Sequence, residues 1–153
     1  MAYLLGLESS CDETAAAVVY ADENGKLTLL SDVVASQVET HRLYGGVVPE
    51  IAGRAHIEAI SQITYEALEK ASVSPEQLSC VAVTGYPGLI GALLVAVNFA
   101  KAFALRYRLP LVSVDHIKGH VAAAYLTDTP PVPPFTALVT SGGHTSLFYV
   151  KDY

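Results

Sequence analysis

The sequence predicts an α/β protein in which helices flank a mixed sheet. Its composition is 52% hydrophobic and only 16% charged, which is typical of a sheet covered by helices on both faces. Strand patterns open the chain, and helix and strand patterns then alternate, which favours parallel pairing with right-handed crossovers. With 153 residues, the chain is long enough for one domain with a hydrophobic core.

The first three strands are predicted at residues 3–8, 14–20 and 27–36, where apolar runs are separated by turns. Asn24-Gly25 is a strong hairpin signal between the second and third runs. The chain is therefore expected to open with an antiparallel meander.

Helical and strand patterns alternate after the meander. Pro49 suits the first position of a helix that continues to Ala71 at helical spacing. A helical turn, a strand, an apolar helix and a further strand are predicted at residues 74–77, 78–84, 89–106 and 111–114. A meander that leads into such units is the ribonuclease-H-like arrangement.

The C-terminal segment repeats the opening pattern. Residues 130–134 form a proline-rich linker that is expected to be stiff, and residues 135–140 and 145–150 read as a hairpin. The predicted organisation is an N-terminal subdomain at 1–129, the linker, and the start of a second similar subdomain at 135–153. We expect Phe135, Leu138, Leu147 and Phe148 to form an apolar side that pairs with another copy of the chain or with a partner.

Two histidines follow the last strand of the first subdomain. Asp115 occupies a helix N-cap position, and the spacing of His116 and His120 places both imidazoles on one helix face. Such a pair can bind one divalent metal ion if a third ligand, for example a carboxylate, is supplied. The alternative is a pair of surface histidines. His56 lies on the earlier helix and is expected to be a packing or surface residue without a role in metal binding.

Two loops of small residues, at 9–13 and 141–144, each join two predicted strands. Backbone N–H groups in such loops can bind phosphates, and glycine allows close approach. Ser10 and Asp12 are the candidate nucleotide-loop residues. The alternatives are two ordinary hairpins, with Asp12 bonded to the backbone of its own turn.

Charge and cysteine content exclude some classes. The net charge of -6 argues against nucleic-acid binding through the global field. Cys11 and Cys80 are expected to stay reduced, with Cys80 in the core. No apolar run reaches the length of a membrane span, and the N-terminus shows no leader pattern, so a cytoplasmic protein is expected.

Six segments occur in order along the chain: Glu8-Ser9-Ser10-Cys11-Asp12-Glu13-Thr14, Tyr44-Gly45-Gly46-Val47-Val48-Pro49-Glu50, Arg54-Ala55-His56, Pro87-Gly88-Leu89, His116-Ile117-Lys118-Gly119-His120 and Ser141-Gly142-Gly143-His144-Thr145. Together they resemble one family, the tRNA threonylcarbamoyladenosine transferases (TsaD), long called O-sialoglycoprotein endopeptidases or the glycoprotease family. The resemblance covers the whole chain as the N-terminal half of family members.

The resemblance implies an actin-like ATPase fold and a transferase that moves threonylcarbamoyl from threonylcarbamoyl-AMP to N6 of adenosine 37 in tRNAs reading ANN codons. It implies that His116 and His120 bind iron or zinc, together with an aspartate from the second domain, and that Glu13 orients or deprotonates a reactant. ATP or threonylcarbamoyl-AMP is the implied nucleotide. Implied partners are tRNA, the paralogous subunit TsaB and the ATPase TsaE, with a homodimer or heterodimer expected. The implied substrate-binding residues are Val139, Thr140, Ser141, Gly142 and Gly143.

The sequence departs from the family pattern at Tyr86, which replaces a usual glycine, and at Asp115 and Lys118, where the family commonly has asparagine and glutamate. Val139 stands where archaeal and eukaryotic members have a metal-binding tyrosine, which indicates the bacterial type. A nucleotide site between two lobes needs both, so this chain alone is expected to be inactive. The alternatives are a metal-dependent endopeptidase, which would need a glutamate inside the histidine motif, a non-catalytic paralogue, which lacks the histidine pair, and a sugar or acetate kinase.

Overall fold

A computed structural model describes residues 1–141 and 145–153 of the chain. Two short 3-10 turns, Pro75–Gln77 and Ala123–Leu126, join the regular elements. These elements are β1 (Ala2–Glu8), β2 (Glu13–Ala21), β3 (Leu27–Ser36), α1 (Val38–Arg42), α2 (Pro49–Ala71), β4 (Leu78–Tyr86), α3 (Ile90–Tyr107), β5 (Leu111–Asp115), α4 (His116–Ala122), β6 (Phe135–Thr140) and β7 (Thr145–Val150). The predicted order is confirmed, and only α1 falls in a stretch for which no helix was predicted.

Five strands form the main sheet, in the order β3-β2-β1-β4-β5. β1, β2 and β3 pair antiparallel, which confirms the meander. β4 pairs parallel with both β1 and β5. The sheet is therefore mixed, and the carboxyl ends of β1, β4 and β5 lie at one edge.

The hydrophobic core lies between this sheet and the helices α2 and α3. Leu5, Val18 and Val81 are fully buried on three neighbouring strands, and the buried residues of α2 and α3 join the same cluster. Successive side chains of a strand point to opposite faces, so Cys80, next to Val81, points away from the helices. Cys80 is only half-buried, and the prediction that it belongs to the core was wrong. Both cysteines are free thiols.

Helix α3 is the one helix in the described part of the chain that is long and apolar enough to cross a membrane. Length and composition are the only grounds for that reading, and core helices of soluble proteins share them. Small side chains face the sheet along one side of α3, where Ala92, Ala96 and Ala100 are fully buried. This packing favours a core helix.

The β6–β7 hairpin forms a separate two-stranded sheet that contacts α4. The ring of Tyr125 contacts the rings of Phe135 and Tyr153, with centroids 6.1 and 5.3 Å apart. The hairpin therefore lies against its own chain and is not carried away from it by the linker. The boundaries at 129 and 135 stay a prediction.

One prediction about the hairpin was wrong. Leu138 pairs with Leu147, and both are exposed, at 63% and 70%. Phe135 and Phe148 lie at alternate positions of the register and so point to the opposite face. The four apolar residues therefore do not form a single side. The expected pairing of the hairpin with a second chain stays a prediction.

Candidate active site in a cleft at the sheet edge

A cleft of about 540 Å³ opens where the parallel strands end. Glu8 is the last residue of β1, Thr84 lies near the end of β4, and His116 follows β5 directly. Clefts beyond the carboxyl ends of parallel strands are the usual ligand sites of α/β sheets. Small apolar residues from β1, β2 and β4 line the cleft, and its polar lining residues are Glu8, Ser10, Asp12, Glu13, Thr84, His116 and His120.

The histidine helix begins as the sequence predicts. Oδ1 of Asp115 accepts hydrogen bonds from the backbone N–H groups of Ile117 and Lys118, at 2.8 and 3.0 Å. This N-cap satisfies two of the N–H groups that a helix start leaves without a partner. Because the helix begins at His116, His120 lies one turn further along the same face.

The two imidazoles converge on one point of the cleft. The Nε2 atoms of His116 and His120 are 3.0 Å apart, and the rings meet edge to face with centroids 4.5 Å apart. Two nitrogen ligands of a tetrahedral zinc ion, each about 2.0–2.1 Å from the metal, lie about 3.3 Å from each other. The pair therefore fits a shared divalent metal ion with only a small adjustment.

Glu8 holds His116 from the other side of its ring. Oε2 of Glu8 lies 3.0 Å from Nδ1 of His116 and accepts a 2.6 Å hydrogen bond from the hydroxyl of Thr84. The backbone N–H of Ser10 donates to Oε1. Burial alone would raise the pKa of Glu8, but the hydrogen bonds with Ser10, Thr84 and His116 outweigh it and hold that pKa below its usual range. A carboxylate that accepts a hydrogen bond from Nδ1–H keeps the ring proton on Nδ1. Nε2 is then free to bind a metal, as in many metal sites.

Glu8 and Thr84 are not among the site residues predicted from the sequence. A usable signal existed, because β1, β4 and β5 were expected to pair in parallel. Polar residues at the carboxyl ends of such strands meet at one edge. Glu8 therefore could have been named beside His116.

The third metal ligand is not among these residues. In residues 1–141 and 145–153, no group of three or more histidine, cysteine, aspartate or glutamate side chains is arranged to hold a metal ion. The further aspartate that the family resemblance implies stays a prediction.

The loop between β1 and β2 is anchored on the start of α3. The buried hydroxyl of Ser9 donates to the carbonyl of Ala92 at 2.7 Å and accepts from the N–H of Ala96 at 3.3 Å. The carbonyl of Ser10 accepts from the N–H of Leu89 at 2.8 Å. A Cβ added to Gly88 would lie only 2.7 Å from the Cβ and the carbonyl oxygen of Ser10, so the close approach needs glycine.

The same loop carries three of the predicted site residues to the cleft. Ser10 is nearly buried, with its hydroxyl 3.1 Å from Nδ1 of His116, while Asp12 and Glu13 line the cleft from its rim. Asp12 lies beside the thiol of Cys11. Burial first, and then Asp12, raise the pKa of that thiol.

Of the predicted substrate-binding residues, those that the structure describes lie elsewhere. Val139 is half-buried, and Thr140 and Ser141 are exposed at the end of β6. These three residues do not line the cleft. Gly142 and Gly143 lie outside the residues that the structure describes. Five predicted residues, Ser10, Asp12, Glu13, His116 and His120, are thus brought together.

Residues 28–153 match the family described as tRNA N6-adenosine threonylcarbamoyltransferase (TsaD). The chain belongs to this family. A TsaD relative from Desulforapulum autotrophicum is 58% identical over 147 residues, which are 96% of this chain and 43% of the relative. A TsaD relative from Geobacillus thermodenitrificans is 56% identical over 151 residues, 99% of this chain and 43% of the relative. The chain thus spans less than half the length of these curated TsaD relatives.

Solved structures share the fold at low sequence identity. YeaZ from Pseudomonas aeruginosa matches with a TM-score of 0.60 and 17% identity, over 82% of this chain and 48% of YeaZ. The PPX-GPPA enzyme of Aquifex aeolicus matches with a TM-score of 0.55 and 13% identity, over 99% of this chain and 49% of the enzyme. The predicted ribonuclease-H-like, actin-like ATPase fold of this TsaD family member is confirmed.

Proposed function

We propose that this chain forms the metal-binding lobe of a transferase that moves threonylcarbamoyl from threonylcarbamoyl-AMP to N6 of adenosine 37 in tRNAs reading ANN codons. Family membership supports the reaction. The observation that carries the site is the convergence of the Nε2 atoms of His116 and His120 on the cleft, while Glu8 holds Nδ1 of His116. We propose iron or zinc as the metal.

The reaction forms a C–N bond between N6 of the adenosine and the carbamoyl carbon, and it breaks the bond from that carbon to the phosphate oxygen of AMP. A bound metal ion would supply a Lewis acid for the carbamoyl or phosphate oxygens. His116 and His120 would hold that ion, and Glu8 fixes the orientation of His116. Glu13 lies on the cleft rim, where its carboxylate can orient the amine or accept the proton that N6 loses.

The charge of the cleft supports a nucleotide bound together with a cation. Glu8, Asp12 and Glu13 line it, and its described lining includes no lysine or arginine. Phosphate oxygens beside carboxylates are repelled unless a positive ion lies between them. We therefore propose that ATP or threonylcarbamoyl-AMP would bind beside the Ser10–Asp12 loop together with a cation that His116 and His120 would hold, and that residues 139–143 contact the substrate.

The proposed partners follow from the family. They are tRNA, the paralogous subunit TsaB and the ATPase TsaE, in a cytoplasmic complex that contains this chain as a homodimer or heterodimer. Light scattering of the chain alone and with purified TsaB tests the assembly. A strictly monomeric chain that does not bind TsaB would contradict it.

An endopeptidase, the older family description, has less support. Zinc proteases with an HExxH helix need a glutamate directly after the first histidine, and here that residue is Ile117. Glu8, the carboxylate at His116, accepts hydrogen bonds from three groups and orients the imidazole.

Metal content and transfer activity test the proposal together. The chain is compared with a chimera. In the chimera, this chain is joined to the part of the D. autotrophicum relative that the chain does not match. We expect threonylcarbamoyl transfer to tRNA from the chimera and none from the chain alone, and no peptide hydrolysis from either.

His120→Ala should abolish bound metal in the chimera on elemental analysis. Lys118→Ala, on the same helix, should leave the metal content unchanged. Unchanged metal in His120→Ala would overturn the metal assignment, and transfer without the second half would overturn the need for two lobes.

A further inference from the structure

His56 is a fully buried histidine on α2, and it makes hydrogen bonds with Cys11 and Thr14, in and beside the cleft loop, and with Gln37, which follows β3. Its Nε2 lies 3.1 Å from the carbonyl oxygen of Cys11. Its Nδ1 lies 2.7 Å from the hydroxyl of Thr14 and 3.3 Å from Nε2 of Gln37. A carbonyl oxygen only accepts, so the ring carries its proton on Nε2 and accepts hydrogen bonds at Nδ1.

A second layer of polar groups extends the network. Oε1 of Gln37 accepts from Nε2 of His41 at 3.0 Å, and the N–H of Val48 donates to Nδ1 of His41 at 3.3 Å. The backbone N–H of Gln37 donates to the carbonyl of Asp12 at 3.0 Å. The carbonyls of two consecutive loop residues, Cys11 and Asp12, are therefore both held by this network.

Polar side chains fill this part of the core. Thr14, Gln37, His41 and His56 are all buried, with exposed fractions of 7% or less. Burying polar groups is unfavourable unless each finds a partner. Apolar residues would pack this volume without that demand, but an apolar residue in place of His56 would leave the carbonyl of Cys11 without its imidazole donor.

We propose that His56 is a positioning residue for the cleft. It does not line the cleft; it donates to the carbonyl of Cys11 and thereby fixes the turn that places Asp12 and Glu13 on the rim. The expected effect of His56 on the reaction rests on the proposed function. Its effect on the order of the loop does not.

Two substitutions of His56 separate the effect of its hydrogen-bond donor from the effect of its side-chain volume. His56→Gln places an amide N–H about where Nε2 of the histidine lies, so it can still donate to Cys11. His56→Asn is shorter and leaves that carbonyl without a donor. Thr64→Val is the matched control, because Thr64 is also fully buried on α2 and its hydroxyl donates only to Ile60 of the same helix.

Amide hydrogen exchange of residues 10–14 in this chain is the first measurement. We expect exchange at least about tenfold faster in His56→Asn, the effect of one lost buried hydrogen bond. In His56→Gln and in Thr64→Val it should stay close to the unchanged chain. Equal acceleration in His56→Asn and Thr64→Val, or none in His56→Asn, would overturn the proposal.

The second measurement uses the chimera with threonylcarbamoyl-AMP and tRNA. His56→Asn should lower kcat/KM at unchanged metal content, and His56→Gln should restore it. Loss of metal together with activity would indicate general unfolding and overturn a positioning role. A chimera that is inactive even without substitution would count against the proposed function, whereas the exchange result would still decide the role of His56.

Discussion

The chain contains two strand–turn–strand units with similar sequence patterns, and the structure treats them differently. The first, β1 and β2, lies inside a five-stranded sheet, and its loop bonds to α2, α3 and the segment before α1. The second, β6 and β7, forms a two-stranded sheet of its own. Its contacts with the rest of the chain run mainly through α4 and Tyr125.

The difference shows that a strand pattern does not decide how much a strand contributes to stability. Leu5 in β1 is fully buried, whereas Leu138 in β6 is 63% exposed. An isolated two-stranded sheet is marginal in water. The first unit therefore belongs to the hydrophobic core, whereas the stability of the second unit depends on the residues that cover it.

The largest expected effect contrasts these two leucines. Leu5→Ala should lower the free energy of unfolding by about 2–5 kcal/mol, because it leaves a cavity in the core. Leu138→Ala should change it by no more than about 0.5 kcal/mol, because the side chain is already exposed. Urea unfolding followed by circular dichroism measures both. Similar losses for the two variants would mean that the hairpin is part of the core.

The second expected effect concerns the anchoring of the β1–β2 loop. Gly88→Ala should lower the free energy of unfolding by about 1–3 kcal/mol, because the added methyl group would collide with the backbone and Cβ of Ser10. Gly91→Ala is the control, because nothing lies within 4 Å of its new Cβ. As a helical position it should gain up to about 1 kcal/mol. Thermal unfolding of both variants measures the difference. An unchanged stability of Gly88→Ala would show that the turn at Gly88 and the loop at Ser10 are not tightly packed.

The smallest expected effect concerns the thiol in that loop. The raised pKa of Cys11 reduces its thiolate fraction at neutral pH, so alkylation by iodoacetamide should be slow and should accelerate as the pH rises through that pKa. Asp12→Asn removes one cause of the shift, and alkylation of Cys11 should then be faster at pH 8. Mass spectrometry separates this site from Cys80, whose rate should not change with the substitution. An unaltered rate at Cys11 would show that Asp12 does not act on the thiol.

The sequence by itself determined the features that depend on neighbours along the chain. The order of strands and helices follows from apolar periodicity, the start of α4 from the Asp115 cap, and the convergence of His116 and His120 from their separation by one helical turn. Each of these needs only residues a few positions apart, and their order in the sequence also carried the family resemblance.

Tertiary structure decided the rest. Glu8 meets His116 across 108 positions of sequence, and His56 meets Cys11 across 45. It also decided that Cys80 faces away from the helices and that the apolar residues of β6 and β7 are divided between two faces. The physical reason is that the partner of a side chain depends on which strands pair, in which register, and on what covers each face of the sheet.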